Sequence, residues 1–78
     1  MKHDGLYIEF LVGGHWRNDH EAGLFVSEYG ALVYLQSHLA RYARCHLRIS
    51  TRLYEVRADG LYVMTARKGW QLLEGVQP

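Results

Sequence analysis

Proline, cysteine and long apolar runs are scarce in this 78-residue chain. The only cysteine is Cys45, so no disulfide can form within the chain, which fits a reducing compartment. No apolar run approaches the roughly 20 residues that a membrane-spanning helix needs. The start, "MKHDGLYIEF", carries Asp4 and Glu9 where a signal peptide would need an uninterrupted apolar stretch. The sequence therefore predicts a cytoplasmic protein.

Motifs for catalysis and for metal binding are also missing. The run "VGGHW" lacks the Gly-Lys-Ser/Thr ending of a phosphate-binding loop. Cys45 and His46 are neighbours on a predicted strand, where they would point to opposite faces and could not act together. His15 and His20 lie in a polar segment without the close spacing typical of zinc ligands. We expect no enzymatic activity, no metal and no cofactor.

The composition that is present predicts one small folded domain spanning residues 1–78. Apolar residues make up 49% of the chain and aromatic residues 13%, which argues against disorder. The charges are unevenly distributed: residues 1–40 contain two cationic and five acidic residues, whereas residues 41–78 contain seven cationic and three acidic residues. This asymmetry favours an anionic partner for one side of the molecule. The alternative is that the two halves interleave in space and their charges pair.

The first half of the chain predicts two strands and a helix. "LYIEFLV" alternates apolar and polar residues with the period of a half-buried strand. Gly13-Gly14 ends it, and "EAGLFV" reads as a second strand with Ala22, Leu24 and Val26 inward. Ser27 is typical of a helix N-cap. The helix is predicted over 28–44, with Arg41 and Arg44 in its last turn and an apolar stripe formed by Leu32, Leu35, Leu39 and Tyr42.

The second half predicts a meander of strands. "HLRISTRLYEV" is strand-like but changes phase, which predicts a bulge or bend near residues 50–52. Asp59-Gly60 predicts a type I′ hairpin turn, and the strands "LYVMTA" and "WQLL" follow on either side of the turn "RKG". The predicted fold class is α+β with element order ββαβββ, an antiparallel sheet with one helix packed on one face.

Two sets of residues are candidates for binding a macromolecular partner. On the predicted helix, Tyr34, His38 and Arg41 lie opposite the leucine stripe and have the composition of an interface hot spot. In the meander, aromatic side chains that include Tyr62 and Trp70 alternate with cations. Those cations are Arg48, Arg52, Arg57, Arg67 and Lys68.

Aromatic and cationic residues on one sheet also suit single-stranded nucleic acid. A nucleic-acid-binding regulator that stacks bases on Tyr62 or Trp70 is therefore an alternative. However, the sheet lacks the glycine-aromatic run of an RNA-recognition domain. Glu55 and Asp59 would also repel a continuous phosphate track, so we favour docking on a protein. A third possibility is a homodimer formed through an exposed sheet edge.

The closing hairpin resembles that of a small phage anti-CRISPR protein of the type I-F inhibitor set. The similarity covers "DGLYVM" and the following "KGW", together with the order of two strands, one helix and a meander. The resemblance implies a non-catalytic inhibitor acting in the host bacterial cell. Such an inhibitor binds a multi-subunit nucleoprotein surveillance complex and blocks capture of target DNA. The basic second half of this chain departs from the acidic, DNA-mimicking pattern of many such inhibitors.

Overall fold

The computed structural model describes residues 5–74, so the predicted domain 1–78 extends outside the described residues at both ends. The helical elements are α1 (Glu28–Ser37) and a 3₁₀ turn (Leu39–Tyr42). The strands are β1 (Ile8–Val12), β2 (His15–Asn18), β3 (His46–Ile49), β4 (Arg52–Arg57), β5 (Gly60–Thr65) and β6 (Gly69–Leu72). The predicted α+β class, with one helix between the second and third strands, is confirmed.

All six strands form one antiparallel sheet in the order β2-β1-β3-β4-β5-β6. The helix covers one face of this sheet, and the core lies between them. From α1, Ala31 and Leu35 are buried against the sheet. The sheet contributes Ile8, Leu47, Ile49, Tyr54, Leu61 and Val63. The face of the sheet that packs against α1 is therefore closed, and the opposite face is open.

The second strand lies earlier in the chain than the sequence predicted. Gly13 and Gly14 form a two-residue hairpin loop with φ angles of 57° and 82°, and Val12 pairs directly with His15. Positive φ at both loop positions is characteristic of a type I′ turn, which glycine adopts readily. The polar run "HWRN", predicted to be a loop, is therefore edge strand β2.

The prediction of a strand over "EAGLFV" was wrong. It makes a single bridge, in which Phe25 and Leu6 exchange two main-chain hydrogen bonds. Phe25 is the residue that packs against the core. Leu24 and Val26, which were predicted to point inward, are exposed, and Val26 retains 82% of its accessible surface. The residue that points inward is therefore Phe25, one position away from the predicted Leu24, and a shift of one residue along a strand reverses which side chains face inward.

The helix is shorter than the predicted 28–44. Ser27 caps its start, since its hydroxyl accepts a hydrogen bond from the Gly30 N–H at 3.1 Å. The helix ends at Ser37 because the backbone of His38 leaves helical geometry (φ −134°, ψ 41°). The His38 ring nitrogen Nδ1 lies 2.7 Å from the Tyr34 carbonyl oxygen. That carbonyl would otherwise accept the next α-helical hydrogen bond, so Arg41 and Arg44 lie beyond α1.

The strand predicted over residues 46–56 is two strands rather than one bulged strand. Ile49 pairs with Arg52, which leaves Ser50 and Thr51 as a two-residue loop with Ser50 at φ 55°. The hairpin at Asp59-Gly60 is in the predicted place, but its loop residues are Ala58 and Asp59. Only Gly60 there has a positive φ, of 144°. The turn is consequently not of type I′, which requires positive φ at both loop positions.

Candidate functional site

The face of the sheet opposite α1, here called the open face, carries a mixed apolar and aromatic surface. Alternation along paired strands places on it every second residue of each strand. Among these are Leu11, Leu53, Met64 and Leu72, which are between 36% and 39% exposed. The half-buried Trp16 and Trp70 lie on the same face, opposite Leu11 and Met64 respectively. Exposed apolar side chains grouped in this way are typical of an interaction surface.

Both tryptophans of the chain line one cleft on the open face. The cleft has a volume of about 220 Å³. Trp16 comes from edge strand β2 and Trp70 from the opposite edge strand β6. Between them the cleft is lined by the side chains of Leu11, His46 and Leu53, with the sheet at Leu47 and Tyr54 as its floor. Side chains from the two edge strands therefore line one cleft.

A charged pair supports the first tryptophan. The guanidinium carbon of Arg48 lies 4.5 Å from the centre of the Trp16 ring, a distance typical of a cation–π contact. Arg48 Nε donates a hydrogen bond of 2.6 Å to Glu9 Oε1, and the two residues are direct neighbours on β3 and β1. Glu9 therefore holds the arginine in place on the tryptophan.

A second charged pair supports the aromatic residues of the other edge. Arg57 donates a hydrogen bond to Glu55, two residues earlier on β4. Its guanidinium carbon lies 4.2 Å from the Tyr62 ring centre and 5.7 Å from that of Trp70. The Tyr62 hydroxyl donates to Asp59 at 2.8 Å, and this hydrogen bond raises the pKa of Tyr62. The same arrangement of a carboxylate, an arginine and an aromatic ring thus occurs twice on the open face.

These ion pairs show how the unevenly distributed charges of the sequence are arranged in the fold. Glu9 and Arg48 come from different halves of the chain, and so do Asp19 and Arg41. The two halves therefore interleave, and acidic residues of the first half neutralise arginines of the second. On the open face, Arg48 and Arg57 are each bound to a carboxylate, which leaves no excess positive charge there.

The five predicted basic residues do not form one surface. Arg48 and Arg57 lie on the open face, but Arg52 pairs with Ile49, whose side chain belongs to the core on the helix side. Arg48 and Arg52, four positions apart, would share a face in a regular strand, but the Ser50-Thr51 turn places them on opposite faces. Arg67 and Lys68 lie in the exposed loop between β5 and β6.

The predicted stripe of Tyr34, His38 and Arg41 is not a continuous outward surface. Tyr34 is half-buried against the core, with its ring centre 5.5 Å from that of Phe25. The His38 ring stacks on Tyr34 with centres 4.1 Å apart. Arg41, on the 3₁₀ turn, donates to Asp19 at 2.8 Å. These residues pack the end of α1 against its neighbours. Among the aromatic residues predicted to bind a partner, Trp70 is the one that lines the cleft.

Asp19 organises a second cluster on the helix side of the sheet. It is only 5% exposed and accepts hydrogen bonds from the Tyr42 hydroxyl at 2.7 Å and from Arg41. Burial by itself would raise the pKa of this carboxyl, but the hydrogen bonds from Tyr42 and Arg41 outweigh burial and lower it. Burial and the same carboxylate raise the pKa of Tyr42. Asp19 thereby connects the end of β2 to the 3₁₀ turn.

No group of three or more histidine, cysteine, aspartate or glutamate side chains within residues 5–74 is arranged to hold a metal ion. His15 and His20 belong to β2 and to the loop after it. In the same range, no helix has the length and hydropathy needed to cross a bilayer.

Sequence reasoning missed Trp16, Leu11 and Leu53 as members of the site. Trp16 lay in a segment predicted to be a loop, so its orientation could not be assigned. The Gly13-Gly14 pair was the available signal, because Gly-Gly between two short runs is a recognised hairpin turn. Treating it as a turn would have placed Trp16 on the same face as Leu11.

Comparisons with known proteins add no relative. No family model matches the chain, and no curated protein or solved structure shows significant similarity to it.

Proposed function

We propose that this chain is a non-enzymatic binding protein that docks a protein partner through its open face. The observation that carries the proposal is the cleft between Trp16 and Trp70, surrounded by exposed leucine and methionine side chains. Tryptophan and arginine at the centre of an apolar patch have the composition of binding hot spots. The two Glu–Arg pairs add polar groups whose hydrogen bonds are already formed.

Electrostatics favour a protein over a nucleic acid as the partner. A surface that binds a phosphate backbone needs cations free to replace its counterions. On the open face, Arg48 and Arg57 are bound to Glu9 and Glu55. These carboxylates lie on the same face and would repel phosphates. Arg67 and Lys68 lie in the loop after β5, at the same end of the sheet as Arg52. They therefore do not extend a phosphate track across the open face.

The hairpin resemblance suggests which protein partner to test first. It points to a CRISPR surveillance complex of type I-F, and we propose that the chain inhibits capture of target DNA by binding this complex. In this hypothesis, the open face is the surface that contacts the complex. The "KGW" part of the resemblance contains Trp70, which is one wall of the cleft.

The test measures target-DNA capture by a reconstituted type I-F surveillance complex in a gel mobility-shift assay. We expect the protein to reduce the shift, and the Trp70→Ala variant to lose at least about tenfold in potency, as hot-spot truncations do. Tyr29→Ala is the matched control, because Tyr29 is an exposed aromatic residue on α1, away from the open face. If wild type and Trp70→Ala inhibit equally, the open face is not the docking surface.

The nucleic-acid alternative is tested with the isolated protein and random-sequence DNA. A protein-docking surface predicts only weak DNA binding at about 150 mM salt. Submicromolar affinity would contradict the proposal, particularly if log affinity falls with log salt at a slope of about −0.9 per phosphate contact. The regulator would then become the preferred function.

A further inference from the structure

We infer that the Trp16–Trp70 cleft is a pocket for a single neutral aromatic side chain presented by the protein partner. This inference rests on the docking function proposed above and specifies what the open face recognises. The cleft volume of about 220 Å³ exceeds the roughly 150 Å³ of an apolar protein cavity that holds one benzene molecule. The cleft therefore has sufficient volume for one aromatic ring.

The lining sets the polarity of the occupant. Two indoles and two leucines, Leu11 and Leu53, form most of the walls, and His46 is the one polar side chain among them. A charged group would lose its hydration there. Indole rings attract cations, but Arg48 and Arg57 already lie against the two tryptophans. An aromatic ring would gain edge or offset contacts with the indoles in addition to apolar burial. A neutral aromatic side chain meets both conditions.

The walls are held in position before the partner arrives. Glu9 fixes Arg48 against the Trp16 ring, while Glu55 fixes Arg57 beside the aromatic residues of the other edge. Binding to side chains that are already ordered loses less conformational entropy. The two charged pairs therefore act as supports for the pocket rather than as direct contacts for a charged ligand.

The same features disfavour a nucleobase. A base carries several hydrogen-bonding groups, and those left without partners in an apolar cleft would be costly to bury. His46 can satisfy only part of them. The phosphate attached to the base would also approach Glu9 or Glu55 on the open face.

The experiment uses the whole ¹⁵N-labelled protein and a small probe, N-acetyl-L-phenylalaninamide, followed by NMR. The chain has two tryptophans, and both line the cleft, so their two indole N–H signals report directly on the pocket. We expect both signals to shift with the probe in a saturable manner. N-acetyl-L-lysinamide, matched in its backbone, should leave them in place because its side chain is charged.

A second variant separates the pocket from the general fold. Leu53→Arg keeps both indole reporters and introduces a charge at the cleft wall, so probe binding should weaken by at least about tenfold. Unchanged probe affinity in a folded Leu53→Arg protein would overturn the inference. So would a saturable shift with the lysine amide equal to that with the phenylalanine amide, or no shift with the phenylalanine amide at all. Adenosine monophosphate is the third probe, and tighter binding of this nucleotide would assign the cleft to a base instead.

The outcomes for the pocket and for the docking function are distinguishable. If the phenylalanine probe fails but Trp70→Ala still weakens inhibition of the surveillance complex, the open face docks a protein without an aromatic anchor. If the probe binds and inhibition does not depend on Trp70, the pocket exists and the proposed function is wrong.

Discussion

Replacing Asp19 with asparagine should destabilise the domain, because it removes the negative charge from a buried acceptor of two hydrogen bonds. The carboxylate accepts from the Tyr42 hydroxyl at 2.7 Å and from Arg41 at 2.8 Å. A hydrogen bond to a charged group contributes about 1.5–3 kcal/mol. Arg41 keeps its contact with Glu21 at 2.9 Å, so the loss falls mainly on the buried bond with Tyr42. We expect Asp19→Asn to lower the free energy of unfolding by about 2 kcal/mol at neutral pH.

The pH dependence of this loss follows from the lowered pKa of Asp19. A carboxyl group whose pKa is lower in the folded state stabilises the fold above its unfolded-state pKa of about 3.9. That stabilisation disappears as the pH falls through the folded-state pKa. The difference between wild type and Asp19→Asn should therefore be largest near neutral pH and should shrink below about pH 4.

Urea denaturation followed by tryptophan fluorescence, at several pH values, measures both effects. Glu21→Gln is the matched control, because Glu21 contacts the same guanidinium but its side chain is 80% exposed. Exposed ion pairs contribute little to stability, so this variant should behave as wild type. A loss for Asp19→Asn that stays constant down to about pH 2.5, or a Glu21→Gln loss of equal size, would refute the reasoning.

Two further predictions concern the core and metal binding. Leu35→Ala should lower the free energy of unfolding by about 2–5 kcal/mol, because Leu35 is fully buried between α1 and the sheet; Tyr29→Ala, on the exposed side of α1, should change it little. An unchanged melting curve for Leu35→Ala would exclude this packing. EDTA should leave the melting temperature unchanged, and a decrease of several degrees that zinc reverses would show that a metal stabilises the fold.

The parts of the fold that could be predicted are those specified by neighbouring residues. The β1 alternation, the Ser27 cap and the position of the Asp59 turn depend on a few consecutive positions, and the structure has all three. The end of α1 depends instead on the His38 ring reaching the Tyr34 carbonyl. Helix periodicity carries no information about such a side-chain contact, so the prediction extended the helix too far.

The candidate site was predicted only where strand orientation was correct. Arg48, Arg57 and Trp70 were proposed as partner-binding residues, and the structure places all three on the open face. Arg52 does not join them, because the predicted bulge or bend between it and Arg48 is a complete turn between two strands. The orientation of Trp16 could be predicted only from the pairing of β1 with β2. A face made by several strands depends on register, which a single sequence specifies weakly when the edge strand is polar.

The pairing of β1 with β3 has a consequence for the order of folding. It is the one neighbouring pair in the sheet whose strands are not joined by a tight turn, and its Glu9–Arg48 contact spans 39 positions of sequence. Closing so long a loop costs more chain entropy than forming any of the hairpins. Trp16 lies on one side of this junction and Trp70 on the other. The two walls of the cleft therefore come from segments that can each form locally, and the cleft is complete only once β1 has paired with β3.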